Sequence, residues 1–116
     1  MIINLNLPTK YYIVCGKTDM RKGIDTLASY IQTEFDMDPF NQALFFFCGN
    51  SQDRFKLLYW DGEGFWLMYK RFENGKLNWP RKEHVLREMT FEQVEWLLQG
   101  FSIDRPIQQA KQRVIF

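Results

Sequence analysis

Histidine is nearly absent from this chain, which has only His84, and cysteine is scarce, with only Cys15 and Cys48. One imidazole and two thiols cannot supply the four ligands of a tetrahedral zinc site built from Cys and His. Both cysteines fall in runs that read as strands, where buried free thiols are expected in a reducing compartment. No apolar run approaches the roughly 20 residues that cross a bilayer, and the first residues lack the basic start and apolar stretch of a signal peptide. A cytoplasmic protein with no membrane segment is therefore expected. An excess of one charge is also lacking, because 15 Lys and Arg against 14 Asp and Glu leave a net charge of +1. The overall balance thus does not mark a nucleic-acid binder. Repeats, low-complexity segments and linkers are missing as well, so residues 1–116 are expected to form one domain.

Aromatic side chains, in contrast, are abundant. Eleven Phe and four Trp within a 17% aromatic content exceed what a small core requires, which places some rings on a sheet face or at an interface. YYIVC, Tyr11 to Cys15, reads as a strand. Asp19 or Thr18 then offers an N-cap, and Met20, Ile24, Leu27, Ile31 and Phe35 follow at helical spacing, predicting a helix over Asp19–Phe35. ALFFFC, RFKLLYW and FWLMYKRF read as three further strands, and KLNW after Asn74-Gly75 as a fifth. In MTFEQVEWLLQGF, Thr90 and Gln93 make a capping box, Met89 can staple onto Val94, and Gly100 ends a helix over Phe91–Gln99. The expected class is α+β: an antiparallel meander of four to five strands with two main helices packed on it. Residues 105–116 read as a tail.

DGEG, Asp61 to Gly64, raises the question of a carboxylate site. An acid/base pair needs an environment that separates the two pKa values, and a calcium loop needs oxygen ligands over about twelve residues. A hairpin tip offers neither, so DGEG is a turn. The flanking strands alternate apolar with apolar. Leu58 and Trp60 share one face and Leu57 and Tyr59 the other, as do Phe65, Leu67 and Tyr69 against Trp66 and Met68. Both faces need cover, from helices on each side or from a partner.

TDMRKGIDTLA, DPFNQALFFF and DRFKLLYWDGEGFWLMYKRFENGKLNWP, with MTFEQVEWLLQG near the end, resemble the second-open-reading-frame (TnpB-type) accessory protein of insertion sequence 66 transposons over about residues 10 to 104. The resemblance implies a bacterial mobile-element protein, encoded beside a separate transposase that carries the catalytic carboxylates. It implies an assisting role in DNA transposition, with that transposase as a partner and with no catalytic residue or cofactor of its own. The chain departs from the family at CGNSQ, Cys48 to Gln52, which is uncharged where relatives tend to be basic.

Two basic constellations stand out. TDMRKG places Arg21 and Lys22 in the first turn of the expected helix, where cations oppose the macrodipole at about 0.3–1 kcal/mol each. They are either solvated charges or contacts for a nucleic-acid phosphate. Lys70, Arg71, Lys76, Arg81 and Lys82 surround the Asn74-Gly75 turn with Tyr69, Phe72 and Trp79 interleaved, which is either a solvated tip over core rings or a DNA-contacting surface. Trp60, Trp66, Tyr69 and Trp79 are the candidate interface aromatics, for a homo-oligomer or another protein. The expected function is a non-enzymatic accessory factor contacting DNA, the transposase or both. The alternative is a protein–protein adaptor or homodimerisation module without DNA contact.

Overall fold

The computed structural model describes residue 8 and residues 10–81 and 83–104; the tail from 105 onward lies outside the described residues. Its first strand, β1, spans Lys10–Val14, and ALFFF forms β2, Ala43–Phe47. Helix α1, Ile24–Phe35, connects them and returns the chain to the same end of the sheet. β1 and β2 consequently run parallel, with Tyr12 opposite Phe45. β3, Arg54–Trp60, and β4, Phe65–Arg71, continue as an antiparallel meander. β5, Leu86–Met89, lies antiparallel against β1, and α2, Phe91–Leu98, follows it. The order across the sheet is β4-β3-β2-β1-β5. The α+β class stands, with one parallel pair set into an otherwise antiparallel sheet.

Both faces of the sheet are apolar, and over β1, β2 and β3 the chain covers both itself. Val14, Phe45, Phe47 and Leu58 pack with Leu27, Ala28 and Ile31 of α1. Ile13, Leu44, Phe46, Leu57 and Tyr59 point the other way, onto Val94 and Leu97 of α2 and onto Leu77, Trp79 and Ile103. β2 is buried at every position, as a central strand covered on both sides must be. Cys15 and Cys48 are buried free thiols, and burial raises the pKa of each.

Two expected elements differ. Helix α1 begins at Ile24 with Gly23 as N-cap, rather than at Asp19. Asp19 instead closes its own turn: its Oδ1 accepts from the Arg21 N–H at 3.0 Å, and its carbonyl accepts from the Lys22 N–H at 3.2 Å. Such Asx turns compete with helix. Arg21 and Lys22 therefore lie outside the helix, and the expected conflict with its dipole does not arise. KLNW is not a strand either. Gly75 takes φ +85° and turns the chain as expected, but residues 77–80 then run irregularly over the sheet. Leu77 and Trp79 are buried there, and the Trp79 indole donates to the Val14 carbonyl at 2.9 Å. Pro80 lacks the N–H that a paired strand would use. The fifth strand is the charged LREM segment, whose half-polar pattern conceals it in the sequence.

The DGEG turn and the α2 cap form as read. Gly62 has φ +100°, and Asp61 Oδ1 accepts from the N–H groups of Glu63 and Gly64 at 2.8 and 2.9 Å. Asp61 Oδ2 accepts from the Trp66 indole at 2.8 Å. These donors hold the Asp61 carboxyl below its ordinary range. Both capping-box bonds between Thr90 and Gln93 are present, at 2.8 and 3.1 Å, and Met89 joins Val94 in one cluster.

The turn and the cap can each be tested. Asp61→Ala lowers the melting temperature near neutral pH, whereas Glu63→Gln leaves it unchanged. Because the folded-state pKa of Asp61 is depressed, its contribution is present above the ordinary carboxylate value of about 3.9 and is lost as pH falls through the folded value. The gap between wild type and Asp61→Ala in thermal melts therefore closes in acid, and a gap independent of pH would contradict the role given to the carboxylate. In chemical denaturation, Thr90→Ala costs about 1 kcal/mol through loss of the cap.

Candidate functional site

In sheets with parallel strands, ligand sites gather beyond the carboxyl ends of those strands. Here the segments leaving β1 and β2 at that end face each other across an open groove of about 570 Å³. Lys17, Thr18, Asp19, Met20 and Arg21 line one side, and Gly49, Asn50, Ser51 and Arg54 the other. The Thr18 N–H donates to the Cys48 carbonyl at 2.8 Å and ties the two segments together. Gly49 permits this approach, since a Cβ there would lie 2.6 Å from Met20 Cγ and 3.1 Å from the Thr18 carbonyl oxygen. Arg81 braces the same loop from behind: Nη2 donates to the Gly49 carbonyl at 2.9 Å and lies 3.4 Å from the Cys48 sulfur.

Three cations enter this groove. Arg21 grips Asp19 at 2.9 Å yet leaves 91% of its side chain exposed. Arg54 pairs with Asp53 at 2.8 Å. Among the described residues Lys17 makes no ion pair. The Arg21 guanidinium holds the Asp19 carboxyl well below the usual carboxylate range, and Arg54 lowers that of Asp53. Both acids stay ionised far below neutrality, so neither is matched to proton exchange near pH 7. What the groove offers is the exposed Arg21 guanidinium and Lys17 ammonium and the half-buried Arg54 guanidinium, with neighbouring side-chain amide and hydroxyl groups. Those are the groups that bind phosphate oxygens.

The structure scatters the other basic candidates. Lys22 lies 5.4 Å from the Tyr30 ring centroid, on the α1 side of the turn. Lys70 donates to the Leu98 carbonyl at the end of α2 and sits 4.8 Å over the Phe72 ring. Arg71 pairs with Glu73 at 3.2 Å. Lys76 is exposed on the loop beyond Gly75, and Lys82 lies outside the described residues. Of the aromatics, Trp79 belongs to the core, and Trp60 is half-buried against Phe40 and Phe65 at 4.9 and 5.0 Å between centroids. Trp66 and Tyr69 are exposed on β4. Lys17 and Arg54 escape a reading of the sequence, and the loop with Asn50 and Ser51 stands out there only for its lack of charge, because only the parallel pairing of β1 with β2 brings the two segments together. The expected order of strand, helix and strand allows that pairing, but neither segment by itself signals it.

The model of the IS66 Orf2-like proteins matches residues 9–108, which includes both groove segments, the whole sheet and both helices. The chain belongs to the IS66 Orf2-like family. Family membership implies an accessory protein of transposition. Two relatives come from Sinorhizobium fredii. The uncharacterized protein y4hO is 33% identical over 97 residues, 84% of this chain and 84% of that protein. The uncharacterized protein y4jC is 30% identical over 87 residues, 75% of this chain and 74% of the relative. No solved structure matches the chain. As in the family as a whole, the role to be explained is therefore that of an assisting protein. Among the described residues no helix is long and apolar enough to cross a membrane, and no cluster of three or more His, Cys, Asp or Glu could hold a metal.

The groove depends on the close approach at Gly49, and that dependence is measurable. Gly49→Ala destabilises the protein by about 1–3 kcal/mol, the usual cost of overpacking. Adding Met20→Ala recovers part of the loss, because the clash with the Met20 side chain is relieved and the one with the Thr18 carbonyl remains. Equal stability of Gly49→Ala and wild type in denaturant titration would show that the segments are not packed as described.

Proposed function

We propose that this IS66 Orf2-like protein is a non-enzymatic accessory factor of DNA transposition that holds the phosphate backbone of element DNA in the groove beyond β1 and β2, alongside the separate transposase. The observation that carries this reading is the convergence of Lys17 and Arg21 from one segment with Arg54 from another on one open polar groove. The carboxylates beside the two arginines are locked in ion pairs with them, and the Arg21 guanidinium stays largely in solvent. Contacts of this kind position a protein on DNA and carry little sequence information, which suits an assistant to a transposase that chooses the site.

The adaptor reading, with protein contacts and no DNA, has its own support in the exposed Trp66 and Tyr69 on β4. Ionic strength separates the two, because phosphate contacts weaken steeply with salt and apolar association does not. With element-end DNA, wild type is expected to bind in low salt, alone or with its transposase. Lys17→Glu with Arg21→Glu weakens binding across sequences without changing preference. Removing one phosphate-binding cation flattens the log–log salt dependence by roughly 0.9, and far-UV circular dichroism stays unchanged. Absence of DNA binding by wild type in low salt, both alone and with the transposase, would leave the adaptor.

A further inference from the structure

β4 is an edge strand: among the described residues only β3 pairs with it. Edges are ordinarily guarded by shortness or charge, and the opposite edge follows that rule. β5 has four residues, LREM, and its Arg87 is engaged by Asp104 at 2.9 Å. β4 is seven residues long, with Phe65, Trp66, Leu67, Met68 and Tyr69 in succession and its charges only at the end, Lys70 and Arg71.

The ladder shows which groups the free edge presents. The Phe72 N–H donates to the Asp53 carbonyl and the Asp61 N–H to the Gly64 carbonyl, both in the same register as the β3–β4 pairing. Hydrogen-bonded pairs alternate in an antiparallel ladder, so Trp66, Met68 and Lys70 bond inward to β3. Phe65, Leu67, Tyr69 and Arg71 direct their N–H and C=O groups outward.

We propose that β4 pairs antiparallel with β4 of a second copy about a two-fold axis at Met68, joining two five-stranded sheets into one. In this register the outward residues meet each other, Phe65 opposite Arg71 and Leu67 opposite Tyr69, and their backbone groups satisfy one another. Trp66 faces Lys70, and Met68 faces its own copy. Every strand residue finds a partner, both cations meet aromatic rings rather than each other, and like charges directly opposite are avoided. The two-fold axis stands perpendicular to the sheet, so Trp66 of the second copy lies on the face that carries α2. There a shallow apolar groove of about 230 Å³, lined by Phe55, Leu57, Met68, Tyr69, Lys70 and Leu98, opens at the edge to receive it. The self-complementary order of aromatics and cations along one strand selects a second copy as the occupant. An unrelated partner would not require it.

This pairing is independent of the DNA reading, and its failure leaves that reading intact. Sedimentation of wild type is expected to give a dimer that dissociates on dilution. Tyr69→Pro removes an outward N–H and no β3–β4 bond, so it keeps the circular dichroism spectrum and weakens dimerisation roughly tenfold or more. Met68→Cys links two copies through a disulfide under oxidised glutathione, since directly opposed non-hydrogen-bonded residues have the required separation. Arg71→Cys does not, because its two copies lie at opposite ends of the paired strands. The native thiols are buried and do not compete. Should Tyr69→Pro fail to fold, the cysteine pair alone decides. A wild type that stays monomeric at its highest soluble concentration overturns the pairing. So does a dimer that Tyr69→Pro leaves unchanged, or one in which Arg71→Cys links as readily as Met68→Cys.

Discussion

A sheet that is apolar on both faces must be covered twice, and most of this structure follows from that requirement. β2 is buried at every position, and β1 and β3 present large side chains to both sides. Helix α1 covers one face. On the other, α2 is too short to do so alone, and the irregular segment around Leu77 and Trp79 completes the layer. The Trp79 indole reaches the Val14 carbonyl, which fixes that segment where its sequence suggests a strand. Covering the first face with a crossover helix also makes β1 and β2 parallel, and parallel strands leave their following loops together at one end. The groove is a by-product of how the sheet is buried.

The legible parts of the fold are those whose signals are local. β3, the DGEG turn and β4 are written in two seven-residue, largely apolar strands on either side of a glycine turn, and Thr90 with Gln93 marks the start of α2. The hidden parts depend on partners distant in sequence. LREM becomes a strand because β1 offers it an edge, and KLNW fails to become one because Trp79 gains more by entering the core than by pairing. Helix α1 starts late because Asp19 satisfies nearby N–H groups in its own turn. The candidate site is legible in the same uneven way. Arg21 stands out in the sequence for its place in a helix that does not reach it, yet it lies in the groove. Lys17 and Arg54 are 37 residues apart and have no visible relation until β1 meets β2.

Charge in this protein is local. The net value is +1, and Arg21, Arg54, Arg71 and Arg87 each keep a carboxylate at hand. Exposed pairs of this kind add little to stability. Their consequence is orientation: Arg21, Arg54 and Arg87 are each held through two nitrogens, which fixes the pose of the guanidinium. Arg54 and Arg71 stand directly opposite each other across β3 and β4, an arrangement that would repel if each did not carry its own acid. On the proposed reading, a modest basic groove of this kind holds DNA weakly by itself and more firmly when a second protein shares the load.

If the loops leaving β1 and β2 meet DNA within that complex, their backbone amides should register it. Amide hydrogen exchange on the protein, alone and then with transposase and element-end DNA, is the most direct test. The expected result is new protection concentrated in residues 17–21 and 49–54 that appears with DNA and fades as salt is raised. Protection that arises with transposase alone, is insensitive to salt and leaves both loops exchanging freely would contradict it.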